Sequence, residues 1–190
     1  MASNDRPGGD DWLFDPSLAN INRRLQREFR EEAEEQEAES AEYELRTRTV
    51  AQLALEARNR GDSITVALRQ KSFTGPVLYA AGDVITVGGE GFEVDINIAA
   101  IAFFRVVARG RRRGAGGAAP VGPGTFEMRL LERQSARAVV EVGQAVKDDI
   151  LTGRLTAVGA DHLVLLDDQK EEIVIPSSNI TFVIHRKYVR

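Results

Sequence analysis

The sequence contains no cysteine, which excludes disulfides, cysteine nucleophiles and cysteine-ligated zinc or iron–sulfur sites. Its two histidines, His162 and His185, are far apart in the chain, so a histidine-based metal site or catalytic triad is not expected. No segment approaches the roughly 18 consecutive apolar residues of a membrane span. The first residues are too polar and acidic for a secretory signal. We therefore expect a cytoplasmic protein with no membrane partner.

Catalytic motifs are missing as well. There is no Walker A pattern, and no G-x-G-x-x-G motif stands between a strand and a helix. The acid pairs Asp148-Asp149 and Asp167-Asp168 occupy turn-like positions, where Asp is favoured because its side chain bonds to the backbone. The sequence thus predicts a protein that is not an enzyme, with no catalytic residue, no metal site and no cofactor.

Charge is distributed unevenly along the chain. Residues 1–48 contain 13 acidic and 7 basic residues, whereas residues 49–190 contain 16 acidic and 18 basic residues. The acidic isoelectric point of about 5.4 therefore comes from the N-terminal part. The remainder is slightly basic, and no acidic residue lies between Arg105 and Thr125.

Residues 1–48 are predicted to form a disordered start followed by a long acidic helical arm. Asp15-Pro16 is a typical helix start, and apolar residues follow at helical spacing. Aromatic residues beside an amphipathic helix favour docking to a partner protein. An uncovered apolar stripe also favours a homo-oligomer, and a solvated helix is the alternative to both. The candidate partner-binding residues are Trp12, Phe14, Leu18, Ile21, Leu25 and Phe29.

Residues 49–108 and 125–190 show the same order of features. Each begins with a threonine, Thr49 or Thr125, and a short leucine-bearing helical stretch. Five short runs of alternating apolar residues follow, which is typical of half-buried antiparallel strands. Because closing a small sheet removes its exposed edges, we expect each repeat to form a closed barrel.

Two short segments carry a resemblance to a known family. Thr74-Gly75-Pro76-Val77 and Thr152-Gly153-Arg154-Leu155 are each followed by a Gly-(x)-Asp turn and alternating apolar residues. This pattern resembles the Sm-like (LSm) barrels. The resemblance implies a mainly β protein of two tandem Sm-like five-stranded small barrels, each with a short N-terminal helix. It also implies RNA binding and assembly into rings, but the basic residue and glycine that this family carries before its last strand are absent here.

Residues 109–124 separate the two repeats and contain six of the 17 glycines, which predicts an arginine- and glycine-rich linker or long loop. Arginine binds phosphate in a bidentate manner and stacks on bases. We therefore expect a non-enzymatic RNA-associated module. The alternatives are a solubilising linker, an intramolecular partner for the acidic helix of residues 28–44, and a protein–protein adaptor that docks through the N-terminal arm. The candidate nucleic-acid-binding residues are Arg105, Arg109, Arg111, Arg112, Arg113, Arg186, Lys187 and Arg190.

Overall fold

The computed structural model describes residues 16–69, 71–110, 122–147 and 149–186. The chain divides into two compact units, Met1–Arg48 and Thr49–Arg190. In the first unit, helix α1 runs from Pro16 to Thr47, and each of its described side chains is exposed. The helix therefore presents polar and acidic side chains to solvent over most of its length.

The second unit contains two helices and ten strands in its described residues. The helices are α2 (Val50–Arg60) and α3 (Phe126–Ser135). The strands before α3 are β1 (Ser63–Leu68), β2 (Ser72–Ala81), β3 (Val84–Gly89), β4 (Phe92–Asn97) and β5 (Ile101–Ala108). Those after it are β6 (Val139–Gln144), β7 (Ile150–Val158), β8 (His162–Leu166), β9 (Glu172–Pro176) and β10 (Ile180–Arg186).

Both short helices begin at a capping threonine. The Thr49 hydroxyl accepts a hydrogen bond from the Gln52 amide, and the Gln52 side chain accepts one from the Thr49 amide, which completes a capping box. The Thr125 hydroxyl accepts a hydrogen bond from the Met128 amide in the same way. Because each cap satisfies backbone donors that have no partner within the helix, it fixes where the helix starts.

The strands form one open antiparallel sheet, so the prediction of two closed five-stranded barrels is wrong. The strand order is β5-β1-β2-β3-β4-β10-β6-β7-β8-β9. Strand β4 pairs with β10, the last strand of the other half, and does not turn back to close on β5. In a closed barrel, the free edge of β4 would be covered by β5. Here it is covered by β10 of the second half of the chain. The broader prediction of a mainly β protein is confirmed.

Strand β2 bends at a glycine to join two parts of the sheet. Its first residues pair with β1, where Gly75 lies opposite Ile64, and its later residues pair with β3, where Val77 lies opposite Val87. A Cβ at position 75 would overlap the carbonyl oxygen of Gly88. Only glycine allows the two strands to approach this closely at the bend.

The two halves share their hydrophobic cores across the β4–β10 pairing. Phe182 and Ile184 of β10 are buried among residues of the first half, whereas Tyr79 and Val84 are buried among residues of the second. The Phe182 ring meets the Phe73 ring edge-on, with 4.9 Å between ring centroids. The two halves therefore form one folded body.

A buried ion-pair network adds a polar link between the halves. Asp95 on β4 is completely buried and accepts hydrogen bonds from Thr86 Oγ1 at 2.7 Å, Arg133 Nε at 2.7 Å and Arg129 Nε at 3.2 Å. Arg133 Nη2 also donates to Glu93 at 2.8 Å. Burial alone would lower the pKa of Arg133, but its bonds to Asp95 and Glu93 raise it. The network fixes α3 of the second half over β4 of the first.

Candidate nucleic-acid interface

Asp62 organises the start of the arginine-rich segment. It follows the last turn of α2, and its side chain is 1% exposed. Its carboxylate accepts hydrogen bonds from Arg60 Nε and from the Gly110 amide, both at 2.8 Å. Burial alone would raise the pKa of Asp62, but these two bonds and the charges of Arg60 and Arg109 together lower it. The carboxylate is therefore charged at neutral pH and holds β5 and α2 together at this point.

Gly110 meets the backbone at the end of α2 so closely that a side chain would not fit. A Cβ at this position would overlap the carbonyl oxygen of Arg60 and the carbonyl group of Gly61. Gly61 itself ends α2 in the left-handed conformation, with φ of 73°, and its amide donates to the carbonyls of Ala57 and Arg58. The arginine-rich segment thus leaves the sheet next to the C-terminal end of α2.

Four described arginines belong to this region, and we call them the arginine cluster: Arg58, Arg60, Arg105 and Arg109. Arg105 and Arg109 were candidate sites from the sequence and are exposed. Arg58 and Arg60 lie in the last turn of α2 and were missed, because the pairing of β1 with β5 and the approach of Gly110 to Asp62 bring that helix end next to β5. The candidates Arg111, Arg112 and Arg113 lie outside the described residues.

The far end of the same segment is also attached to the second unit. The Tyr79 hydroxyl donates a buried hydrogen bond of 2.5 Å to the carbonyl of Pro123. Asp83 Oδ1 accepts a hydrogen bond of 2.6 Å from the Phe126 amide at the start of α3. Burial raises the pKa of Tyr79, so its hydroxyl remains a donor at neutral pH. The described residues on both sides of positions 111–121 are therefore attached to one folded body.

Of the C-terminal candidates, the structure describes Arg186, and it lies elsewhere in the sheet. Arg186 ends β10, its side chain is 72% exposed, and its Nε donates to Glu141 Oε1 at 2.7 Å. In the strand order, β1 to β4 lie between β10 and β5, so the structure does not join Arg186 to the arginine cluster. Lys187 and Arg190 lie outside the described residues.

A cleft of about 350 Å³ lies beside Arg186, but its charges are balanced. Lys71 and Arg186 line it together with Glu90 and Glu141. The Lys71 ammonium lies 5.5 Å from the centre of the Phe73 ring, within the range of a cation–π contact. This cleft therefore offers a polyanion less net positive charge than the arginine cluster does.

The candidate partner-binding residues are placed only in part. Trp12 and Phe14 lie outside the described residues, as do the side chains of Leu18, Ile21 and Leu25, which belong to α1. Phe29 is 67% exposed. Within the unit that contains α1, the structure therefore leaves this aromatic side chain open to solvent.

In the part of the chain that the structure describes, no helix is long and apolar enough to cross a membrane. No protein-family model matches the sequence, and no curated protein matches it. The Sm-like resemblance therefore stays a prediction.

Proposed function

We propose that this protein is a non-enzymatic module that binds single-stranded RNA through the arginine cluster and the neighbouring Arg111, Arg112 and Arg113. The observation that carries the proposal is the contact between Gly110 and Asp62. It fixes the start of the arginine-rich segment beside Arg60 at the C-terminal end of α2.

Charge and geometry both favour a phosphate backbone as the ligand. Arg105 and Arg109 are exposed, and no acidic residue lies between Arg105 and Thr125 in the sequence. Guanidinium groups bind phosphate oxygens in a bidentate manner and stack on bases. A loop rich in arginine and glycine can follow a single strand without reading its sequence.

Fluorescence polarisation with a labelled single-stranded RNA of about 16 nucleotides tests the proposal. If five phosphate contacts form, the logarithm of the binding constant should fall with the logarithm of salt concentration with a slope of about −3.5. Replacing Arg111→Ser together with Arg112→Ser should weaken binding and reduce the slope by about 1.4.

The matched control changes two arginines away from the cluster. Arg69 and Arg154 are exposed, and Arg154 lies on β7 in the other half of the sheet. The double variant Arg69→Ser and Arg154→Ser removes the same amount of charge. Because both residues lie away from the arginine cluster, it should leave the salt dependence of RNA binding unchanged. Equal effects of the two pairs would show that net charge alone drives binding and would contradict a defined site.

The adaptor remains a second candidate because Phe29 is 67% exposed on α1. An aromatic side chain on an exposed helical face is a typical anchor for a partner groove. Indifference of RNA binding to Arg111 and Arg112 would favour the adaptor over the RNA-binding module.

A further inference from the structure

Strands β5, β1 and β2, which are neighbours at one end of the sheet, are unusual in their charge. They contain no Asp or Glu, and Arg105 is their only charged residue. A polyanion that lies along these three strands therefore meets no carboxylate that belongs to them.

One face of these strands belongs to the hydrophobic core. Val66 on β1 lies opposite Phe73 on β2 and Phe104 on β5 in the strand register. Val66 is completely buried, Phe73 is 3% exposed, and Phe104 packs against the same core cluster. Because successive side chains of a strand point to opposite faces, the neighbours of these three residues point away from the core.

The next row of residues lies on that outward face. Thr65 on β1 is opposite Thr74 on β2 and Arg105 on β5. The two threonine hydroxyls lie 2.8 Å apart and are exposed, and the Arg105 side chain is exposed as well. Guanidinium and hydroxyl groups are common ligands of phosphate and sugar oxygens in complexes with nucleic acids.

Phe103 lies on the same outward face, two residues before Arg105. It is opposite Ala67 on β1, and its side chain is 55% exposed. Residues two apart along a strand are separated by about 7 Å. An exposed aromatic ring therefore lies close to an exposed guanidinium group, on a face that carries hydroxyls and no carboxylate of its own strands.

We propose that Phe103 is a base-stacking residue, and that a single-stranded RNA held by the arginine cluster crosses the outward face of β5 and β1 with one base on the Phe103 ring. The inference rests on the proposed function and adds a contact to the bases, which arginine contacts to phosphate do not supply. Aromatic side chains on a sheet surface stack bases of single-stranded nucleic acid in this way, whatever the base.

The direction of β5 links this ring to the arginine-rich segment. Beyond Arg105 the strand continues to Ala108, where it pairs with Ser63 at the start of β1. The bond from the Gly110 amide to Asp62 follows directly. A strand of RNA that leaves Phe103 along β5 therefore moves away from the β1–β2 connection and reaches the arginine cluster.

The chemistry of the face favours a nucleotide over an apolar peptide. A nucleotide offers a flat base and a phosphate at neighbouring positions, which match the ring of Phe103 and the guanidinium of Arg105. The bases of a duplex are stacked inside it, so this arrangement suits a single strand.

Two labelled strands of the same length and charge test the proposal on the full chain by fluorescence polarisation. One is a single-stranded RNA of about 16 nucleotides, and in the other every base is replaced by a tetrahydrofuran spacer. Phe103→Ala should weaken binding of the base-bearing strand by about 5- to 150-fold, the range found for one stacked base. It should leave binding of the base-free strand unchanged, together with the salt dependence of both.

The matched control is Phe29→Ala, which removes an exposed phenylalanine of α1 that is 67% exposed. It should change neither affinity, and Phe103→Tyr should retain the affinity of the wild type because it keeps the ring. Circular dichroism should show the same fold in all variants. Equal weakening of both strands by Phe103→Ala, or an equal effect of Phe29→Ala, would overturn the stacking contact.

Failure of this proposal differs from failure of the proposed function. If the wild type binds neither strand, the RNA-binding module itself is wrong. If Arg111→Ser with Arg112→Ser weakens both strands but Phe103→Ala weakens neither, the arginine site stands and the stacking contact does not. Sedimentation velocity without RNA covers the other occupant, since a lower mass of Phe103→Ala than of the wild type would assign the ring to a contact between copies and overturn the proposal.

Discussion

Asp95 on β4 and Arg133 on α3 form an ion pair, Oδ2 to Nε at 2.7 Å, that joins residues of the two sequence repeats. The Asp95 side chain is completely buried, and the Arg133 side chain is 12% exposed. A pair of this kind is weak evidence for added stability, because removing two charges from water offsets much of their attraction. Its clearer consequence is that it ties α3 to β4, because a buried carboxylate left without its cations is costly.

Replacing Arg133→Met should therefore be strongly destabilising. Arg129 would remain as the other cation bonded to Asp95, and Glu93 would lose its bond from Arg133. Breaking a buried pair in this way costs about 3 kcal/mol. The midpoint of urea unfolding, with an unchanged slope, measures the loss.

Replacing the whole polar set should recover much of that stability. The variant combines Asp95→Val, Thr86→Val, Arg129→Leu and Arg133→Ala. In the other half, the strand pair that corresponds to Asp95 and Thr86 is Val174 and Val164. When α2 and α3 are aligned at their capping threonines, Leu53 and Ala57 correspond to Arg129 and Arg133. The buried carboxylate of Asp95 and its two cations are then removed together, and apolar replacements of buried ion pairs are often neutral or stabilising. A combined variant less stable than Arg133→Met would contradict the correspondence between the two halves.

Gly110→Ala should destabilise the protein and weaken RNA binding together. The added methyl group overlaps the backbone of Arg60 and Gly61, so β5 must move away from the end of α2 and the bond to Asp62 lengthens. Overpacking of this kind costs about 1–3 kcal/mol. Gly124→Ala is the matched control, because a Cβ there meets no atom within 4 Å. Thermal unfolding and fluorescence polarisation of both variants test this prediction, and equal behaviour of the two would count against it.

Local signals allowed part of this structure to be predicted from the sequence. Helix starts depend on a few neighbouring residues, and both Thr49 and Thr125 cap the helices that follow them. Alternating apolar residues likewise indicate strands, because the side chains of a strand point to opposite faces in turn. These signals are sufficient for a mainly β architecture with short helices.

Which strand edges meet is decided by contacts between distant residues. The alternation in β4 is compatible with closure on β5, yet its partner is β10. Burying the Asp95 carboxylate is unfavourable unless cations bind it. Asp95 therefore indicates β10 as the partner of β4 only to a reader who knows that Arg129 and Arg133 pack against it. The arginine cluster shows the same limit, since Asp62 binds both Arg60 and the Gly110 amide, which are far apart in the chain. Spacing along the chain carries no signal for such a contact.

The lowered pKa of Asp62 predicts a specific dependence of stability on pH. In the unfolded chain this carboxyl titrates near its ordinary value of 3.8, and in the folded chain it titrates lower, because Arg60 and Gly110 bond to the charged form. The stabilisation is therefore complete above the unfolded pKa and is lost as the pH falls through the folded pKa. Asp62→Asn removes the titrating group but keeps an oxygen that can accept from Gly110.

The free energy of unfolding of the wild type should exceed that of Asp62→Asn at neutral pH, and the difference should shrink as the pH falls from about 5 to about 3. Urea unfolding at several pH values measures both. Asp161 is the control, because its pKa is also lowered, by its bond to His162, but its side chain is 90% exposed. Solvent screens that pair, so Asp161→Asn should change stability little at any pH. A difference between the wild type and Asp62→Asn that stays constant with pH would show that Asp62 contributes by shape and not by charge.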